Sequence, residues 1–172
     1  MIKVISSYNK EWTTMFNEIS RFLEKNIESY IRIEHVGSTS IPGMDAKPII
    51  DIDIEISSMS DFIRAKCELE NIGYIHCGDQ GIEGREVFKR SGVSKSILDE
   101  ITHHLYVCTS NSSEYKRHIL FRDRLRSNKS LMEEYKAIKH EILEQVGSTN
   151  RKGYVEAKEN NYKDFFDRVH KE

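Results

Sequence analysis

Residues Ile33 to Ile56 read IEHVGSTSIPGMDAKPIIDIDIEI, two apolar stretches joined by a loop, and the second stretch carries two aspartates. From Ile49 to Ile56 β-branched residues dominate and acidic positions alternate with isoleucines, which predicts a strand with one buried face. Asp51 and Asp53 then point the same way, ~6.5 to 7 Å apart. Glu55 shares that face but lies ~13 Å beyond Asp51, too far to join the same cluster without a bend. Two neighbouring carboxylates beside an apolar face repel each other and lose solvation, so the pair calls for a cation. Mg²⁺, or Mn²⁺ in its place, fits that demand, because Mg²⁺ is held through one or two carboxylates with substrate phosphates completing its shell.

Upstream, Val36-Gly37-Ser38 ends a first strand, read as Ile31 to Val36, with a residue that lacks a side chain and then a hydroxyl. Such a turn lets backbone N–H groups approach an anion closely, which makes Gly37, Ser38 and Thr39 the candidate phosphate cradle. Gly-Ser alone is a weak signal, and so is Asp-x-Asp. Separated by twelve residues and each flanked by apolar strand, the two together are much stronger.

Gly37-Ser38 followed by Asp51-x-Asp53 resembles the signature of the polymerase-beta-like nucleotidyltransferase superfamily. More closely, EHVGSTSIPGMDAKPIIDIDI resembles the GrpB-like family, which shares that fold. Further matches are Tyr8 with Trp12, Gly84-Arg85 with Phe88, the strand around His104, Phe121-Arg122-Asp123 with Leu125-Arg126, Glu134-Tyr135 with Lys139, and Tyr154 with Lys158. The resemblance implies a fold and a metal site at Asp51 and Asp53, but no agreed substrate. One departure stands out: active members of the superfamily commonly carry a third carboxylate on a neighbouring strand, and none is found here. Where the family pattern tends to read His-Leu-His, this chain has His104-Leu105-Tyr106.

Composition narrows the function classes. The length suits one domain over residues 1–172 with a sizeable core. Lys plus Arg is 26 against 28 Asp plus Glu, so the net charge of −2 gives no overall attraction to nucleic acid or to an anionic membrane. No apolar run approaches the ~20 residues that span a bilayer, and Met1-Ile2-Lys3 opens no signal peptide. Cys67, Cys77 and Cys108 are odd in number and widely spaced, which fits reduced thiols in a cytoplasm.

Along the chain, residues 9–27 read as an amphipathic helix. His35 ends the first strand, either near a ligand or as a structural histidine. Lys47 meets phosphate or is simply solvated. Ser58-x-x-Asp61 resembles a capping box for a helix that buries Ile63, Cys67 and Leu69 or Ile72 and stops at Gly73. Residues 74–90 supply two further strands or a polar loop, whose Arg85 and Lys89 either meet a triphosphate or belong to a solvated turn. Ile101 to Cys108 alternates with His104 and Tyr106 on one side. Three helices finish the chain, the first two capped by Asn111 and Ser130. Arg122 and Arg126 share a face, as a phosphate fork or, with Asp123, as a structural ion network.

The expected fold is α+β: a small mixed sheet of nucleotidyltransferase type, with helices at 111–170 and from the N-terminal part packing on it. The expected function is transfer of a nucleoside monophosphate from a nucleoside triphosphate to an unidentified acceptor, a small molecule before any other class. Asp51 and Asp53 hold Mg²⁺, and His104 serves as third ligand or general base. A binding module for nucleotides or phosphometabolites that has lost its chemistry is the second reading. Metal-dependent hydrolysis through His35, His104 and the aspartates is the third.

Overall fold

In the computed structural model, which describes residues 4–92 and 96–171, the alternating stretch forms strand β2 (Ile50–Ile56). Its four isoleucines are at most 1% exposed, and burying each contributes roughly 1.5 to 3 kcal/mol. This single face fixes the register of the sheet, since a slip of one residue would push the isoleucines into water and the carboxylates into the core.

Strand β1 (Arg32–Val36) runs antiparallel to β2 on one side, with Val36 opposite Asp51 and Glu34 opposite Asp53. On the other side β5 (His103–Thr109) runs parallel to β2, which sets His104 beside Asp51 and Tyr106 beside Asp53. A parallel pair needs a long crossover. Here it contains helix α2 (Met59–Asn71), the hairpin β3 (Tyr74–His76) and β4 (Arg85–Arg90), and the short helix α3 (Ile97–Glu100). The sheet order is β1-β2-β5-β4-β3.

Two apolar clusters flank the aspartate strand. One lies under the isoleucine face, where α1 (Glu11–Asn26) and α2 bring Trp12, Ile19, Leu23, Phe62, Ala65 and Leu69 against Ile50 to Ile56. The other is built by the last helices: α5 (Lys129–Val146), α6 (Arg151–Asn161) and α7 (Lys163–His170) enclose Tyr135, Ile142, Tyr154 and Phe165 with Ile41 and Met44. Helix α4 (Ser113–Ser127) crosses the aspartate face of the sheet, where Tyr115 donates its hydroxyl to Glu55 at 2.8 Å.

The fold is thus the expected mixed α+β arrangement, with local corrections. Helix α2 buries Phe62, Ala65 and Leu69, while Ile63 is 71% exposed and Cys67 is exposed. The helical phase is shifted by one residue, because Phe62 finds aromatic neighbours in His76 and Phe88. Ser58 is the N-cap but makes no capping bond; Ser57 and Ser58 both donate to the Asp61 carboxylate instead. The caps of α4 and α5 are Ser112 and Asn128, which accept from Tyr115 N–H and Leu131 N–H. Four helices follow β5 rather than three, since the chain breaks at Tyr162 between α6 and α7. No helix among the described residues is long and apolar enough to cross a membrane.

Candidate functional site

Asp51 and Asp53 lie on the aspartate face of β2, and each is held by a histidine from a different element. His104 Nδ1 lies 2.8 Å from Asp51 Oδ1, a contact that follows from the parallel register. His118, on α4, places Nδ1 2.8 Å from Asp53 Oδ2 and Nε2 3.1 Å from Glu114 Oε1. Both His118 nitrogens face carboxylates, so both must donate and the ring is an imidazolium. Burial disfavours that charge, yet the bonds to Asp53 and Glu114 outweigh it and raise the pKa to about 9. Glu114 is held down to about 2, chiefly by its bond to His118.

Asp53 is fully buried, and its second oxygen, Oδ1, has no hydrogen-bond partner among the described residues. Desolvation raises its pKa, and His118 only partly offsets that. A buried carboxylate oxygen without a donor is a costly feature, and a divalent cation would satisfy it. The residues present therefore suit a hard cation shared with substrate oxygens. Among the described residues no group of three or more His, Cys, Asp or Glu side chains is arranged to hold a metal. His104 stands as the partner of Asp51.

The turn after β1 presses on this pair. Gly37 has φ +68° and ψ −173°, a region open in practice to glycine, and a Cβ there would lie 2.3 Å from Asp51 Oδ2. Four side chains pin the turn Ser38–Ser40. Ser40 Oγ donates to Gly37 O at 2.6 Å, Thr39 Oγ1 to Ile49 O at 3.2 Å, Arg126 to Ser40 O, and Lys139 Nζ to Ser38 Oγ at 2.7 Å. Lys139 is 3% exposed and also donates to Asp45 O. Burial and the nearby Lys158 charge lower its pKa well below the ordinary value.

Two adjoining hollows, of about 230 and 180 Å³, open above Asp51 and share Ser38, Asp51, Tyr135 and Lys158 as a common wall. Gly37 and the rings of Tyr106, Phe121, Phe166 and His170 line the larger one, with Arg117 and His118. The smaller one takes Thr39, Lys47, His104, Lys139 and Tyr154.

Of the residues expected at the site, Gly37, Ser38, Thr39, Lys47, Asp51, Asp53 and His104 come together. Thr39 is buried and spends its hydroxyl proton on Ile49 O, so its side chain serves the turn. Arg85 lies over the Tyr106 ring at 4.8 Å, outside both hollows, and its buried Nε has no partner. Lys89 is exposed and borders a separate hollow with Arg90 and Asp99, on a strand that β5 separates from the aspartate strand. His35 points to the opposite face, stacked on Phe16 at 4.7 Å. Because Thr39 donates to Ile49, His35 Nε2 is the donor to Thr39 Oγ1, and burial lowers its pKa to about 4. It is a neutral structural histidine. Arg122 bonds Glu34, Asp123 and His35 O, and so belongs to an ion network. His118, Glu114, Arg117, Lys139 and Lys158 enter the site without having been assigned a role from sequence. The only sequence signal for two of them is the i, i+4 spacing of Glu114 and His118 on one helix.

Fold and site together define an α+β protein in which a Gly-Ser turn overhangs an Asp-x-Asp strand. The chain belongs to the GrpB family, whose model matches residues 3–170 under the description GrpB protein. UPF0157 protein YqkA of Bacillus subtilis is 35% identical over 139 residues, 80% of this chain but only 39% of that protein's length. Glutamate-rich protein GrpB of Alkalihalophilus pseudofirmus is 32% identical over 82% of this chain and 81% of its own. Among solved structures, the conserved protein GrpB from Enterococcus faecalis superposes with a TM-score of 0.77 at 27% identity, covering 96% of each chain.

Two outcomes test this geometry. Gly37→Ala is expected to cost about 1 to 3 kcal/mol in urea unfolding, because the methyl group must displace the Asp51 carboxylate from a glycine-only backbone; a variant as stable as the parent would show that the turn has room. The His118 ring is more basic folded than unfolded, so its stabilisation is complete below pH 6.5 and fades as pH rises through about 9. The Tm gap between the native protein and His118→Gln should shrink across that window, and a gap that widens there would contradict the imidazolium.

Proposed function

We propose that this protein transfers a nucleoside monophosphate from a nucleoside triphosphate to a hydroxyl or amine acceptor. The observation that carries this reading is the buried Asp53 oxygen, left without a partner one strand pleat from Asp51. Two carboxylates, each oriented by a histidine and each with one oxygen not taken by it, suit a Mg²⁺ or Mn²⁺ ion that also binds substrate phosphates. When bound, the ion would offset charge on the phosphates as pyrophosphate departs.

The chain's own residues do the rest. The pinned Gly37–Ser38 backbone, Lys158 and Arg117 offer N–H groups and cations to the phosphate tail at the wall of the larger hollow. The rings of Tyr106, Phe121 and Phe166 line the part of that hollow in which a planar base can stack. His104, with Nδ1 on Asp51, keeps Nε2 for the proton of the acceptor. The side chain is half-exposed, so that proton can pass on to water.

One observation favours the second reading, a binding module without chemistry: the His118 imidazolium already sits on Asp53 and supplies part of the charge that a cation would bring. Under either reading a cytoplasmic location is our expectation, and the three free cysteines, Cys67, Cys77 and Cys108, support it.

Replacing Asp51 and Asp53 together by Asn is expected to abolish Mn²⁺ binding in calorimetry and pyrophosphate release from a triphosphate, with the circular dichroism of the fold retained. Unchanged Mn²⁺ binding would place the metal elsewhere. A native protein that binds nucleotide yet releases no pyrophosphate across a panel of acceptors would decide for the binding module.

A further inference from the structure

The smaller hollow carries three lysines and one carboxylate. Lys47, Lys139 and Lys158 converge on it, and among the described residues Asp51, in the shared wall, is its only acidic lining residue. Lys139 is almost wholly buried; its amine donates to Ser38 Oγ and Asp45 O and lies 4.6 Å from the centre of the Tyr135 ring. Lys47 is half-buried against the Tyr154 ring at 5.1 Å, and its pKa is lowered by burial and then by the charges of Arg151 and Lys158. Like charges gathered in a partly dry space repel, and an anion that enters among them relieves the repulsion.

That anion need not be the nucleotide. Gly37 and the aromatic walls belong to the larger hollow, whereas His104, the group placed to take a proton, lines only the smaller one. In-line displacement requires the attacking and leaving groups on opposite sides of the reacting phosphorus, and Asp51 stands in the wall between the two hollows. We infer that the smaller hollow is the acceptor site and that the acceptor is a small molecule bearing a phosphate monoester, held by Lys47 and Lys139, the two lysines that line this hollow alone, with its nucleophile turned toward His104. A dianionic phosphate answers clustered lysine amines better than a carboxylate does, and lysine serves phosphate as a point charge. In the step itself the acceptor oxygen forms a bond to the α-phosphorus, the bond from that phosphorus to pyrophosphate breaks, and the acceptor proton goes to His104 Nε2.

The assignment rests on the nucleotidyl-transfer reading, and calorimetry separates the two. Inorganic phosphate is titrated into the full chain with Mg²⁺, alone and with a saturating non-hydrolysable nucleoside triphosphate taken from each of the four bases in turn. Phosphate is expected to bind in both conditions, and acetate at least tenfold more weakly. Lys47→Met should weaken phosphate at least tenfold while the nucleotide Kd stays within twofold, and Lys47→Arg should recover most of the loss. Phosphate that competes with nucleotide, fails to bind, or is matched by acetate would overturn the inference, as would Lys47→Met weakening nucleotide as much as phosphate. If no triphosphate binds while phosphate still does, the nucleotidyl-transfer reading fails and the acceptor role falls with it, leaving an anion site alone.

Discussion

Two carboxylates share one face of one strand, and most of the molecule around them is arranged to make that tolerable. The isoleucines on the reverse of β2 commit Asp51 and Asp53 to the other face. Parallel pairing with β5 then delivers His104 to Asp51, and α4, lying across the face, delivers His118 to Asp53. The contact at Asp53 is not optional in energetic terms, because a buried carboxylate with neither proton nor partner is among the costliest groups a fold can hold, whereas Asp51 is partly exposed and its histidine chiefly orients it. Each histidine meets one oxygen. The Asp53 oxygen that remains is buried and unsatisfied, which gives the site its chemical direction.

The same logic runs through the cations. His118 spends its charge on Asp53 and Glu114, and Arg122 spends its own on Glu34 and Asp123. Both are internal supports. The lysines of the two hollows differ, because Lys139 rests on a hydroxyl and a carbonyl, and Lys47 rests on a ring. Amines held only by neutral groups leave room for an anion, whose arrival would favour their charged form. The site thus separates charges that hold the scaffold from charges that face the cleft.

The sheet and its aspartates were legible because a period of two is written locally: four isoleucines alternating with acidic residues leave one sensible register. Helix phase was less legible. Ile63 and Phe62 are adjacent and both apolar, and only the tertiary presence of His76 and Phe88 decides which is buried. The caps moved for a related reason, since Asn111 and Ser112, or Asn128 and Ser130, are all competent capping types and the chain path selects one. His118 was hidden because its partner lies sixty-five residues away in sequence and the helix that carries it looks merely polar. Lys139 and Lys158 were visible as family positions, yet their purpose depends on how α5 and α6 fold back over the Gly37 turn. Lys89 borders another hollow, because the sheet order sets β5 between its strand and the aspartate strand.

The most direct test of the central claim is anomalous diffraction from crystals of the protein soaked with Mn²⁺ and a non-hydrolysable nucleoside triphosphate. The account expects a manganese peak within bonding reach of both the Asp51 and Asp53 carboxylates, with His104 and His118 still hydrogen-bonded behind them. A peak bound through the histidines, or no peak at the aspartates while triphosphate occupies the cleft, would contradict it.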